Sequence, residues 1–169
     1  MKTALLSLVL AAAPLAALAD SPDASFYKTA AEAGMAEVDD GNLAASKGNS
    51  QAVKDFGARM VKDHGAANDK LKSIATAQGV DLPTSASVSD MATKAKLEVL
   101  SGDTFDKSYI KSQLKAHRQA VGLFKKESSS GQDAEAKAFA AQSLPMLRSH
   151  LKAITQIAAD AGIATNTKS

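Results

Sequence analysis

Cysteine and tryptophan are absent from this chain of 169 residues, and aromatic residues make up only 4% of it. Without cysteine the chain has no disulfides, no thiol chemistry and no lipid-modified amino-terminal cysteine, so its fold must rest on an apolar core alone. Basic and acidic residues are nearly balanced, at 20 and 18, which predicts no nucleic-acid partner and no anionic membrane surface. The sequence also lacks a glycine-rich phosphate loop and a serine in a nucleophile elbow.

Long apolar runs are absent except at the amino terminus, where Lys2 precedes the almost wholly apolar segment Leu5 to Leu18. This segment is short for a membrane span, and Ala17 to Ala19 has the small-x-small pattern of a signal-peptide cleavage site. We therefore predict a signal peptide over residues 1–19 and cleavage after Ala19. The mature protein is expected to be periplasmic or secreted, with no transmembrane span.

Residues 20–165 are predicted to form one all-α domain, followed by a flexible tail at 166–169. Apolar residues recur at three-and-four spacing, and capping residues such as Asp23 bound the periodic segments. The predicted helices run from about Asp23 to Lys47, Ser50 to Gln78, Ser89 to Leu100, Phe105 to Ser128 and Asp133 to Ala161. Pro145 is expected to bend the last helix. This order predicts a ferritin-like antiparallel four-helix bundle with a short extra helix in the crossover.

The three histidines of the chain, His64, His117 and His150, occupy inward-facing positions near the middle of three predicted long helices. Glu37 has a similar position in the first helix. Helix midpoints share one level in an antiparallel bundle, so these four side chains are expected to converge. Three imidazoles and a carboxylate suit a transition-metal ion, with copper, zinc and iron as candidates.

Other side chains near the predicted midpoint are weaker candidates. Met60 and Met146 each precede a histidine by four residues, so a thioether ligand could favour copper, although methionine at this spacing more often fills a core. Polar side chains that could orient the imidazoles are Gln113, Asn68, Tyr27 and Tyr109. Asp63 lies about 100° around the helix from His64 and is expected to pair with a surface cation instead. Asp39 and Asp40 are expected to form a solvated acidic pair.

Three functions are compatible with this pattern. The first is metal handling or a role in envelope stress, through His64, His117, His150 and Glu37. The second is a non-enzymatic structural or interaction protein, whose buried histidines form a hydrogen-bonded network. The third is a metal-dependent enzyme acting on peroxide or oxygen, which ranks last because only Tyr27, Tyr109 and Asp63 could supply a second acid or base. A homodimer is left open.

Several motifs together resemble the DUF4142 family of exported bacterial proteins. They are Phe56-x3-Met60-x2-Asp63-His64-x3-Asn68-x2-Leu71, then Gly79-x2-Leu82-Pro83, Phe105-Asp106-x2-Tyr109-x7-His117, Leu144-Pro145-x4-His150-Leu151 and Glu37-x5-Leu43-Ala44. The resemblance covers nearly the whole predicted mature chain. It implies a ferritin-like helical bundle and no settled biochemical role.

The chain departs from the Glu-x-x-His pattern of ferritin-like di-iron proteins. The residues three positions before the histidines are Val61, Leu114 and Leu147. Without bridging carboxylates, a di-iron oxidase or an iron-storage core is disfavoured, and a mononuclear histidine-rich site remains open.

Overall fold

The computed structural model describes residues 22–165, which form five α-helices and no strand. The helices are α1 Ala24–Lys47, α2 Gln51–Ala77, α3 Val88–Val99, α4 Gly102–Ser130 and α5 Ala134–Asp160. The predicted all-α bundle with a short helix in the crossover is confirmed. The predicted signal peptide and the last four residues lie outside the described residues. Within 22–165, no helix is both long and apolar enough to cross a membrane.

Hydroxyl and carboxylate side chains cap three of the helices. Ser50 accepts a hydrogen bond from the backbone N–H of Val53, and Ser87 and Asp133 cap α3 and α5 in the same way. The sequence predicted Asp23 as the N-cap of α1. Asp23 occupies that position, but its side chain makes no capping hydrogen bond there. Its carboxylate accepts instead from two backbone N–H groups in the turn between α4 and α5, which fastens the start of α1 to that end of the bundle.

The direction of each helix follows from two apolar clusters. The first core cluster includes Phe26, Tyr27, Leu71, Phe124, Phe139 and Leu147. The second core cluster includes Val53, Phe56, Met60, Phe105, Tyr109 and Ile154. The first cluster joins the amino-terminal halves of α1 and α5 to the carboxyl-terminal halves of α2 and α4. Hence α1 with α2, and α4 with α5, form antiparallel hairpins, and the crossover that carries α3 runs the length of the bundle.

The helices α1 and α2 approach closely at two glycines. A Cβ atom on Gly57 would lie 2.7 Å from the carbonyl oxygen of Gly41 and 2.7 Å from the Cβ of Ala44. Such distances are shorter than any ordinary contact, so only glycine permits this crossing. The close approach holds the polar residues of α1 near the centre of the bundle.

Helix α3 lies over α1 and buries part of its polar face. Lys94 of α3 binds Asp39 of α1, with 2.9 Å between Nζ and Oδ2. Asp40 is only 6% exposed, so the prediction that Asp39 and Asp40 form a solvated pair was wrong for Asp40. The sequence places Asp40 at the edge of the inward stripe of α1, and the crossover helix then covers it.

Helix α5 continues through Pro145 without interruption.

Candidate metal centre

The three histidines meet in one layer between the two core clusters, as their positions at helix midpoints predicted. The ring centroids of His64 and His117 are 5.7 Å apart, and His150 lies 5.4 Å from each of them. One ring nitrogen from each histidine lies within 4.8 Å of the other two. All three side chains are buried, so helices α2, α4 and α5 together present a nearly equilateral triangle of imidazoles.

Each imidazole has one buried nitrogen that no other described residue satisfies. These atoms are Nε2 of His64, Nε2 of His117 and Nδ1 of His150. A buried polar atom without a partner costs about 1–3 kcal/mol. Three such atoms in one layer therefore mark a place where the fold tolerates a substantial penalty.

The remaining nitrogens of two of these rings have partners that fix the ring orientation. Nδ1 of His117 lies 3.1 Å from the backbone carbonyl oxygen of Gln113, and Nε2 of His150 lies 2.8 Å from Oδ2 of Asp63. Carbonyl and carboxylate oxygens only accept hydrogen bonds, so both ring nitrogens are the protonated donors. The opposite nitrogen of each ring then carries a lone pair, which is the form that binds a metal.

The sequence reasoning missed the role of Asp63. The predicted surface pairing exists, because Nε of Arg59 lies 3.2 Å from Oδ2 of Asp63, but the same oxygen also binds His150 across the α2–α5 interface. Burial opposes ionisation of Asp63, and the hydrogen bonds from His150 and Arg59 outweigh it and hold its pKa below the ordinary value. The sequence did contain a signal for this contact. Asp63 adjoins His64 and therefore lies at the predicted level of His150 on the neighbouring helix.

The imidazoles are held in the neutral form. Burial, together with the neighbouring His117 and His150, lowers the pKa of His64 to about 3. Burial and the neighbouring His150 lower the pKa of His117 to about 4. Burial also lowers the pKa of His150, although its hydrogen bond to Asp63 opposes the shift. Near neutral pH all three rings can therefore act as ligands without first losing a proton.

The spacing of the rings suits a single ion. With metal–nitrogen distances of about 2.0–2.1 Å and ring centres about 1.1 Å behind each nitrogen, three imidazoles on one trigonal or tetrahedral ion have centroids about 5.1–5.5 Å apart. The observed separations are 5.4 to 5.7 Å. The ring nitrogens, which lie within 4.8 Å of one another, would have to approach to about 3.3–3.6 Å to share one ion at these bond lengths.

Glu37, the predicted fourth ligand, lies beside the histidine triangle but outside the group of converging nitrogens. Its Oε1 is 3.7 Å from Nδ1 of His117. That nitrogen already donates its hydrogen to the backbone carbonyl oxygen of Gln113. The side chain of Gln113 hydrogen-bonds the carboxyl group, but burial dominates and raises the pKa of Glu37 to about 8. To act as a ligand, Glu37 would have to turn toward Nε2 of His117.

The two methionines lie with opposite core clusters. Met60 is fully buried in the second cluster beside Phe56, whose ring centroid is 6.0 Å from that of His117. Met146 is only partly buried and packs against the first cluster.

Of the four residues predicted to orient the imidazoles, only Gln113 does so among the contacts described, and it does so through its backbone carbonyl oxygen. Tyr27 belongs to the first cluster, Tyr109 stacks on Phe105 and Asn68 packs against Gly34.

A cavity of about 450 Å³ reaches the site from one side of the bundle. Its wall includes His64, Glu37 and Met146, and small residues such as Ala33 and Ala67 leave room between the helices. The first turns of α3 form part of its rim. The cavity gives His64 a route to the surface, which a purely structural core would not need.

Three solved structures share the fold. A DUF305 fragment from Deinococcus radiodurans matches 83% of this chain and 98% of its own, with a TM-score of 0.73 and 11% identity. A DUF305 protein from Streptomyces coelicolor, named as a secreted protein, matches 85% and 96%, with a TM-score of 0.70 and 16% identity. CopM in its Cu(I)-bound form matches 82% and 96%, with a TM-score of 0.68 and 16% identity. At these identities the likeness concerns the fold alone.

The sequence comparisons give a different kind of result. No curated protein matches the chain significantly. A family model described as a domain of unknown function, DUF4142, matches residues 8–157, a range that includes all three histidines, Glu37 and every helix of the bundle apart from the last residues of α5. The chain therefore belongs to the DUF4142 family.

Proposed function

We propose that the protein binds one transition-metal ion through His64, His117 and His150, and that it handles this metal outside the cytoplasm after removal of residues 1–19. The observation that carries the proposal is a layer of three buried imidazoles. One nitrogen of each ring lies within 4.8 Å of the other two, and one nitrogen of each ring has no hydrogen-bond partner among the described residues. Two of the rings are also oriented by outer hydrogen bonds, as histidine ligands of metal ions usually are.

The alternative of a buried hydrogen-bonded network accounts for less. In such a network the imidazoles would donate to one another or to neighbouring side chains, since that is how buried polar groups avoid the cost of desolvation. Here one nitrogen of His117 and one of His150 have partners, whereas the other nitrogen of each of these rings and Nε2 of His64 have none among the described residues. A metal ion would satisfy the three unpaired nitrogens at once.

The donor set favours copper or zinc as the first ions to test. Three neutral imidazoles suit both ions, and the absence of cysteine and of bridging carboxylates disfavours an iron–sulfur or di-iron site. CopM has a similar fold and is described in a Cu(I)-bound form, which supports including Cu(I) under anaerobic conditions. Met60 and Met146 flank the layer and are candidates for an additional soft ligand.

The test is elemental analysis of protein exported to its own compartment and purified without chelator or histidine tag, together with titration of the apo protein with Zn²⁺ and Cu(I). We expect close to one ion per chain. The single variants His64→Ala, His117→Ala and His150→Ala should each lower the affinity at least 100-fold, because each removes a direct ligand.

Two matched variants complete the design. Met60→Leu and Met146→Leu keep the side-chain volume, so they report on a thioether ligand and leave the core packing intact. Unchanged affinity in all three histidine variants, with folding confirmed by circular dichroism, would exclude the site. Absence of metal from the parent protein, together with no binding in either titration, would favour the network.

A further inference from the structure

We propose that Glu37, Asp40 and Asp90 form an acidic inlet, a binding site that captures the metal cation from solvent before it reaches the histidines. This proposal rests on the proposed function, because it assigns the route of the same ion. The three carboxyl groups come from α1 and from the first turn of α3, and all three line the 450 Å³ cavity that also reaches His64.

Two oxygens in this inlet are buried without a partner among the described residues. They are Oε2 of Glu37 and Oδ1 of Asp40, and the two side chains are only 7% and 6% exposed. An acid at the surface would be solvated, and a buried acid with a purely structural role would have both oxygens hydrogen-bonded. Gln113 hydrogen-bonds the carboxyl group of Glu37 but leaves its Oε2 without a partner. Unsatisfied carboxyl oxygens on a cavity wall are instead suited to a cation.

The residues of the inlet follow one another from the surface to the histidine layer. Asp90 is part-exposed at the start of α3 and accepts a hydrogen bond from the hydroxyl group of Ser87 at 2.6 Å. Asp40 lies deeper under α3, and Glu37 is one helical turn further along α1, with Oε1 3.7 Å from Nδ1 of His117. A cation that moves from carboxylate to carboxylate would thus arrive beside an imidazole.

The charges around the inlet also favour a positive guest. Burial, and after it the neighbouring Asp39 and Asp90, raise the pKa of Asp40 to about 7, while Lys94 opposes the shift. Lys94 is itself bound to Asp39 at the surface. The acids inside the cavity consequently face other acids more than cations, and a metal ion would relieve that repulsion.

Uptake kinetics with Co²⁺ as the probe test the inlet, because the visible absorption of Co²⁺ changes when imidazoles bind it. The apo parent is mixed rapidly with Co²⁺ at low ionic strength and at pH 8, where Asp40 with its pKa of about 7 is ionised, and is compared with Asp40→Asn. The control is Asp69→Asn, which removes the charge of an exposed acid on α2 that lies outside the cavity lining. We expect Asp40→Asn to load about tenfold more slowly than the control, with the same final occupancy.

The outcomes separate the two proposals. If the parent shows no Co²⁺ bands and also fails the Zn²⁺ and Cu(I) titrations, both proposals fall. If the parent binds Co²⁺ and Asp40→Asn loads as fast as Asp69→Asn, the inlet alone is overturned. Slower loading with reduced final occupancy would also overturn it, because Asp40 would then belong to the histidine site itself.

Discussion

At the scale of single residues, the hydrogen bond made by one ring nitrogen of His117 and of His150 decides what the other nitrogen of the same ring can do. Asp63 holds Nε2 of His150 and so keeps Nδ1 free. Asp63→Asn should therefore lower metal affinity about 10–100-fold, because an amide holds the imidazole less firmly and can favour the wrong tautomer. Competition titration with a metal chelator measures this effect.

The control for Asp63→Asn is Asp69→Asn, an exposed acid on the same helix that carries the same charge. Equal affinities in the two variants would show that only the overall charge matters. A loss confined to Asp63→Asn would identify the carboxylate as the residue that positions His150.

The buried histidines should make the metal-free protein sensitive to acid. The pKa of His117 falls from 6.5 to about 4 on folding, so the unfolded chain binds its proton first as pH decreases. The contribution of His117 to stability is complete above pH 6.5 and is lost as pH falls toward 4. His117→Gln should lose less stability than the parent between pH 7 and 5, by up to about 2 kcal/mol. Urea unfolding at both pH values measures the difference, and parallel losses in parent and variant would contradict it.

Asp40 should have the opposite pH dependence. Burial raises its pKa from 3.8 to about 7, so the folded chain retains a proton that the unfolded chain has lost. Its contribution is complete below pH 3.8 and is lost as pH rises through 7. We expect Asp40→Asn to gain stability relative to the parent between pH 5 and 8, by more than about 1 kcal/mol. Urea unfolding of the parent, of Asp40→Asn and of the exposed control Asp69→Asn measures the difference, and an equal gain in the control would contradict this expectation.

Sequence reasoning located the histidines but not all their partners. Helix midpoints follow from capping residues, so the convergence of His64, His117 and His150 was predictable. The contact of Asp63 with His150 depends on the rotation of α2 against α5, and the burial of Asp40 depends on where α3 lies. Neither quantity is encoded in the periodicity of a single helix.

At the scale of the helices, the crossing of α1 and α2 depends on Gly57. Gly57→Ala would place a Cβ atom 2.7 Å from the backbone of α1, so the helices would have to separate, at a cost of about 1–3 kcal/mol or more. Gly65→Ala, on the same helix, has nothing within 4 Å of its added Cβ. It should stabilise the protein by up to about 1 kcal/mol through helix propensity.

Thermal and urea unfolding of the two glycine variants measure this difference. The same substitution on the same helix is expected to lower the free energy of unfolding at Gly57 and to raise it at Gly65. The difference therefore reports the close approach of α1 and α2 and not the effect of alanine as such. Equal effects would mean that the close approach of α1 and α2 does not contribute to stability. The predicted bounds of α1, α2, α3 and α5 were accurate to about one residue because capping signals are local. The prediction for α4 was wrong at its start, because the helix begins at Gly102 and not near Phe105. The crossing of α1 and α2 is a property of two helices and could not be predicted from either.

At the scale of the whole molecule, two apolar clusters on either side of the histidine layer hold the helices together. Neither cluster includes a histidine, so we expect the metal-free protein to be folded and to unfold cooperatively. A bound ion should then add about 2.7 kcal/mol at a free concentration 100-fold above Kd. Circular dichroism melts with and without chelator measure the rise in Tm, and a metal-free chain without helical signal would contradict this expectation. The homodimer considered from the sequence stays a prediction.

The histidine layer has a further consequence for how the sequence can vary. Sliding one helix along its axis by a single turn, about 5.4 Å, would push an imidazole into one of the apolar clusters and align aliphatic side chains with the polar layer. The layer therefore disfavours shifted packings and fixes the register of α2, α4 and α5 relative to one another. Insertions should be tolerated in the crossover at 78–87, whereas an added turn inside any of these three helices would misalign the bundle.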